Sequence, residues 1–133
     1  MISRTGLHAT LALTMLASLK PGEYAGAAQI AKSVGAPANY LGKMLKQLAA
    51  QGILESQKGF GGGFRLAIPA SKITLLDILG PIEKIERWSG CFLGRNKCSG
   101  SSPCAVHGRW SKIREEYLKF LKSTTVAELA AKK

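Results

Sequence analysis

Leu7, Leu11, Met15 and Leu19 recur at steps of four, which predicts a core-facing helix over residues 4–19. Pro21 and Gly22 end it. A shorter helix is expected around residues 26–34, with Ile30, Ala31 and Val34 turned inward. Gly35 then permits a sharp turn, and Pro37 suits the first turn of a following helix. That helix, ANYLGKMLKQLAAQG, carries Leu41, Met44, Leu45 and Leu48 on one face, and Gly52 stands where a C-terminal cap belongs. Its other face shows Asn39, Lys43, Lys46 and Gln47. Two short helices joined by a glycine turn, the second with a polar and basic outer face, predict a helix-turn-helix.

The period changes after Gly52. ILESQK reads as a strand, GFGGG as a turn, and FRLAI as a second strand that alternates Phe64, Leu66 and Ile68. A hairpin directly after the second helix is the wing of a winged helix, with Lys58 at its tip and Arg65 on the return strand. GFGGG lacks the Gly-Lys-Ser/Thr ending and the following helix of a nucleotide-binding loop. Another helix is expected over 73–86, capped by Thr74 with Asp77 and stapled by Ile73 with Ile78, and kinked or broken at Gly80-Pro81.

Residues 88–101, rich in Gly and Ser, predict a loop, and Ser102-Pro103 the start of a long helix. On that helix Val106, Trp110, Ile113, Tyr117 and Leu121 (or Phe120 beside it) form a seam suited to packing on its own domain or on a second copy of the chain, and the aromatics Trp110 and Tyr117 favour the second. TVAE, from Thr125 to Glu128, is a capping box for a short last helix. The expected fold is mainly α with a small β-hairpin wing. A winged helix-turn-helix spans 1–72. A linker helix, a cysteine loop (91–107) and a dimerisation helix pack as one unit over 73–133.

Composition narrows the partner. Of 133 residues, 46% are apolar and 20% charged, which argues against disorder. The apolar runs are too short to span a membrane, and the first twenty residues lack the features of a secretory signal, so a cytoplasmic protein is expected. A net charge of +11 favours a polyanionic partner, and double-stranded DNA suits a helix-turn-helix.

All three cysteines and one of the two histidines fall in CFLGRNKCSGSSPCAVH, spaced C-x6-C-x5-C-x2-H. Cys104 and His107 stand three apart near the expected helix start, where the positive end of the dipole favours a thiolate. Arg95 and Lys97 lie in the stretch and no acid does, which suits an anionic cluster. Structural zinc is the competing reading, although the short cysteine knuckle usual at such sites is missing. Unrelated thiols are a third, and wide spacing alone does not choose an iron–sulfur cluster over these. A catalytic Cys–His pair would need an orienting group and a cleft that nothing here suggests.

ISRTGLHATLAL, NYLGKMLKQLAAQGIL, KGFGGGFRLA, ITLLDIL, the cysteine loop and STTVAEL together resemble the IscR/NsrR family of winged-helix regulators, the Rrf-type repressors, over essentially the whole chain. The resemblance implies a homodimeric bacterial transcription factor, repressor or activator and not an enzyme. Its DNA affinity would depend on an iron–sulfur cluster, most often 2Fe–2S and sometimes 4Fe–4S. The family's ligands map to Cys91, Cys98 and Cys104, with His107 as the fourth in the three-Cys, one-His branch. Other branches take a carboxylate from the first helix of the partner subunit, where this chain has Leu7; His8 beside it is a minor ligand candidate, and a packed or surface histidine is the role expected of it. The first spacing is one residue longer than in that branch, and Gly42 stands where relatives often carry glutamate. The DNA-binding set implied is Asn39, Tyr40, Lys43, Lys46, Lys58 and Arg65. The alternative is a winged-helix regulator without a cluster, dependent on thiols or zinc.

Overall fold

The computed structural model describes residues 2–84, 92–93 and 105–131. Three helices lead the chain: α1 (Arg4–Leu16), α2 (Ala27–Val34) and α3 (Ala38–Ala50). Strands β1 (Leu54–Gln57) and β2 (Gly63–Leu66) form the hairpin, and a turn of 3-10 helix (Ala70–Lys72) leads into α4 (Leu75–Glu83). After it come α5 (His107–Ser123) and α6 (Val126–Ala131).

The expected helix-turn-helix and wing are present. Gly35 closes α2 in the left-handed region at φ 74°, its N–H and that of Ala36 both reaching the Ala31 carbonyl. Pro37 then precedes α3 as its N-cap, and Leu41, Met44, Leu45 and Leu48 are buried as their spacing predicts. In the wing, Leu54 pairs with Leu66 and Gln57 with Gly63. Ala25 adds one further rung by exchanging both backbone hydrogen bonds with Phe64, at 2.9 and 2.8 Å. This rung ties the wing to the segment before α2. Gly63 makes it possible: it holds φ 135°, and a Cβ there would stand 2.3 Å from the Ala25 carbonyl oxygen.

The first helix turns a different face inward from the one its leucines suggest. Leu7 and Leu11 are 45% and 41% exposed, and Met15 and Leu19 are half-buried. The buried face is Gly6, His8, Ala9, Ala12, Leu13 and Leu16. Small residues decide this, because they let neighbouring helices come close. At Gly6 a Cβ would meet the Glu83 carboxylate at 2.3 Å and Leu79 at 2.9 Å. Glu83 also accepts hydrogen bonds from Ser3, from its N–H at 2.9 Å and its hydroxyl at 2.6 Å, which fastens α4 to the start of α1. The helix ends at Leu16, short of the expected Leu19.

In α4 the capping box between Thr74 and Asp77 is complete, and Ile73 and Ile78 are buried. The helix runs through Pro81 to Glu83 instead of breaking at Gly80-Pro81. Pro81 forfeits the N–H bond that would reach the Asp77 carbonyl, and the helix ends two residues after it. The long helix begins at His107 rather than after Ser102-Pro103, a pair that lies outside the described residues, as does the loop expected over most of 88–101. Ala105 and Val106 form a turn before it, so the first helical turn opens on His107 itself. Its far end returns to α4: Leu75 N–H donates to Thr124 O and Val126 N–H to Ile73 O, each at 2.9 Å. Leu121 and Val126 thereby join the core that also holds Leu13, Ile30, Leu45 and Phe64.

Candidate nucleic-acid interface and cysteine loop

The outer face of α3 carries Asn39, Lys43, Lys46 and Gln47, all exposed. Their neighbours Leu41, Met44, Leu45 and Leu48 are anchored in the core, so the polar row is held on a rigid element. Tyr40 is half-buried. Its ring meets His8 edge-on at 5.7 Å, and His8 Nδ1 lies within hydrogen-bond reach of the phenol oxygen at 3.4 Å. His8 is 8% exposed, the packed histidine expected, and through Tyr40 it fixes the start of α3 against α1.

On the wing, Lys58 is exposed at the tip. Arg65 is engaged within the protein: its Nε donates to Glu55 at 2.8 Å across the hairpin, and its guanidinium lies 4.6 Å from the centre of the Tyr24 ring. The hydrogen bond to Glu55 pushes the guanidinium pKa further up. Arg65 thus braces the base of the wing. The pair Glu55–Arg65 follows from hairpin register, whereas nothing in the spacing announces Tyr24 beneath it.

Cys91, Cys98 and Cys104 lie outside the described residues. A described residue beside the first of them meets the first turns of α5. His107 is the first residue of α5, half-buried, and Trp110 follows three residues later, one turn along the same face. Phe92, which follows Cys91 in sequence, packs its ring on Trp110 at 5.4 Å. The start of the loop therefore returns to the helical turn that carries His107. Among the described residues no three His, Cys, Asp or Glu side chains group as a metal site.

Along α5 the seam residues separate. Val106, Trp110 and Tyr117 are half-buried, Ile113 is 57% exposed, and Leu121 is 1% exposed, filled into its own protomer's core. Phe120, the neighbour of Leu121, is 51% exposed, its ring stacked 6.5 Å from Tyr117. Burial pushes the Tyr117 phenol above its ordinary pKa range, and the Glu83 charge adds to the shift. The apolar side chains that α5 leaves exposed are thus Ile113 and Phe120, flanked by half-buried Trp110 and Tyr117. No helix among the described residues is long and apolar enough to cross a membrane.

The family model described as Rrf2, iron-dependent transcriptional regulator, matches residues 2–132. A candidate HTH-type transcriptional regulator of Aquifex aeolicus (strain VF5) is 34% identical over 129 residues, covering 96% of this chain and 89% of that protein. The HTH-type transcriptional regulator IscR of Klebsiella pneumoniae (strain 342) is 28% identical over 102 residues, 77% of this chain and 62% of IscR. Among solved structures, CymR, the global cysteine regulator of B. subtilis, superposes with a TM-score of 0.84 at 24% identity, covering 100% of this chain and 98% of CymR. T. potens IscR superposes at 0.76 with 22% identity, over 97% and 85% of the two chains. Both structures support the winged-helix fold.

Proposed function

We propose, for a chain that belongs to the Rrf2 family of transcriptional regulators and is not an enzyme, that it binds a two-fold DNA operator as a homodimer and couples that binding to an iron–sulfur cluster. The observation that carries this reading is the return of Phe92 to Trp110, one turn from His107. It brings the chain beside Cys91 to the histidine that completes C-x6-C-x5-C-x2-H. The donor set fits the group. Three thiolates and a neutral imidazole suit iron, Arg95 and Lys97 offset the negative charge, and no carboxylate competes within 91–107.

Cys91, Cys98, Cys104 and His107 would hold the cluster, 2Fe–2S in preference to 4Fe–4S. Such a group supplies a redox- and nitric-oxide-sensitive centre. The protein's own part is mechanical and electrostatic. His107 opens α5, so its position is tied to the helix that presents Ile113 and Phe120 to a second copy. The far end of α5 is tied through Thr124 to α4, and α4 through Glu83 to Ser3 of α1, on which Tyr40 of α3 rests. A change at the loop has a packed route to the reading head. It alters DNA binding only as far as the two states differ in affinity.

On the DNA, Asn39 reads a base edge, adenine being its bidentate partner, and Lys43 reaches guanine or phosphate. Lys46 and Lys58 contact phosphate, and Arg65 sets the wing's angle while adding positive charge beside the backbone. The test is anaerobic purification, with visible absorption and iron and sulfide measured per chain beside Cys98→Ala and His107→Ala. Coloured protein that loses its iron in Cys98→Ala and shifts its spectrum in His107→Ala supports the reading. Colourless protein that takes up neither iron nor sulfide on reconstitution overturns it in favour of a thiol- or zinc-dependent regulator.

A further inference from the structure

Phe60 is wholly exposed at the outermost point of the wing. The backbone holds it there: Gly62 N–H donates to Gly59 O at 3.0 Å, and Gly61 at φ 77° completes a type II turn with Phe60 at its leading corner. That corner asks nothing of the side chain, and proline or a polar residue would serve it. A phenylalanine there gains no burial within the protomer. On either side of it the tip is bare, since Gly59, Gly61, Gly62 and Gly63 carry no side chains. Gly62 is kept so by the Gln57 carbonyl oxygen, which a Cβ would approach to 2.2 Å.

The result is a thin backbone loop bearing one aromatic ring, with Lys58 two residues away. A minor groove is about 6 Å wide, too narrow for a hairpin clothed in side chains but open to one ring on a glycine stem. When α3 lies in a major groove, the wing beside it faces the adjoining minor groove, and the chain's +11 charge draws the tip toward phosphate.

Resting on the DNA-binding reading above, we infer that Phe60 is an apolar wedge that enters the minor groove next to the major groove read by α3. It favours A·T steps there, where no guanine amino group obstructs the ring.

The probe is the duplex that full-length wild-type protein enriches from a random-sequence pool, and the readout is fluorescence anisotropy over a range of salt. Phe60→Ala removes no contact within the protomer, so the variant should fold. It is expected to bind about tenfold or more weakly, the lower end of what burying a phenyl ring supplies. Its salt dependence should stay unchanged, because no phosphate contact is lost. Phe60→Trp should retain affinity, and Lys58→Ala should lower the salt slope by about one. Replacing G·C by inosine·C at the flanking steps should strengthen wild-type binding and leave Phe60→Ala indifferent. Phe60→Ala binding within about twofold of wild type, with the same response to inosine, overturns the wedge and spares the regulator. Failure of the wild type to enrich any duplex overturns the regulator reading and the wedge with it.

Discussion

Gly63→Ala tests how the wing is set. At φ 135° an alanine backbone is strained by about 1–3 kcal/mol. Its Cβ would also fall 2.3 Å from the Ala25 carbonyl oxygen, 2.5 Å from the carbon behind it and 2.8 Å from the Gly26 nitrogen. These are backbone atoms, so the strand itself must give way, and the two hydrogen bonds between Ala25 and Phe64 go with it. At about 1 kcal/mol each, the bonds bring the total to about 3–5 kcal/mol, a large share of a small domain's stability. The melting temperature should fall on the order of 10 °C, and specific DNA affinity should fall further than stability alone explains, because the rung that orients the wing is lost. Gly61→Ala is the internal control. It has φ 77° but nothing within 4 Å of the added Cβ, so the strain of about 1–2 kcal/mol stands alone. Thermal unfolding by circular dichroism compares the two. A Gly63→Ala protein that melts with Gly61→Ala, or above it, would refute the role given to the Ala25 rung.

Asn39→Ala should cost about 1–3 kcal/mol on a selected duplex and little on random duplex, by anisotropy; equal losses on both would remove Asn39 from the base-reading residues. Gly6→Ala should displace Glu83 and Leu79 and destabilise the protein by about 1–3 kcal/mol in urea, whereas Leu7→Ala, on the exposed face of α1, should unfold nearly with the wild type. Thr74→Ala removes the hydroxyl that accepts from the Asp77 N–H, leaves the residue-74 N–H on the Asp77 carboxylate, and should cost about 0.5–2 kcal/mol in the same assay.

Local chemistry is the legible part of this chain. The left-handed Gly35, the Thr74–Asp77 box and the alternation of the wing each depend on a few neighbouring residues, and each stands where the sequence places it. What depends on packing is less legible. A four-residue spacing drifts around a helix, so Leu7, Leu11, Met15 and Leu19 look like a core stripe, yet the close approach at Gly6 and the alanines select the adjoining face. Ser102-Pro103 points to an earlier start for α5 than His107, because serine and proline signal a helix without determining where the chain enters one. Arg65 illustrates the same limit in the site: its charge is plain in the sequence, but its commitment to Glu55 and Tyr24 needs the folded hairpin. The proposed ligand set rests on the residues of the cysteine loop together with the family resemblance, and what the structure adds is the return of Phe92 to the His107 turn.

If the group held by the cysteine loop changes how the winged helix meets DNA, loading and stripping that group must change affinity. The decisive quantity is the dissociation constant for a selected duplex, taken under anoxic conditions at fixed salt, for cluster-loaded protein and for the same preparation after the cluster is removed. The two affinities should differ by about fivefold or more, with the difference abolished in Cys98→Ala. Loaded and stripped protein that bind the duplex equally tightly would contradict the coupling.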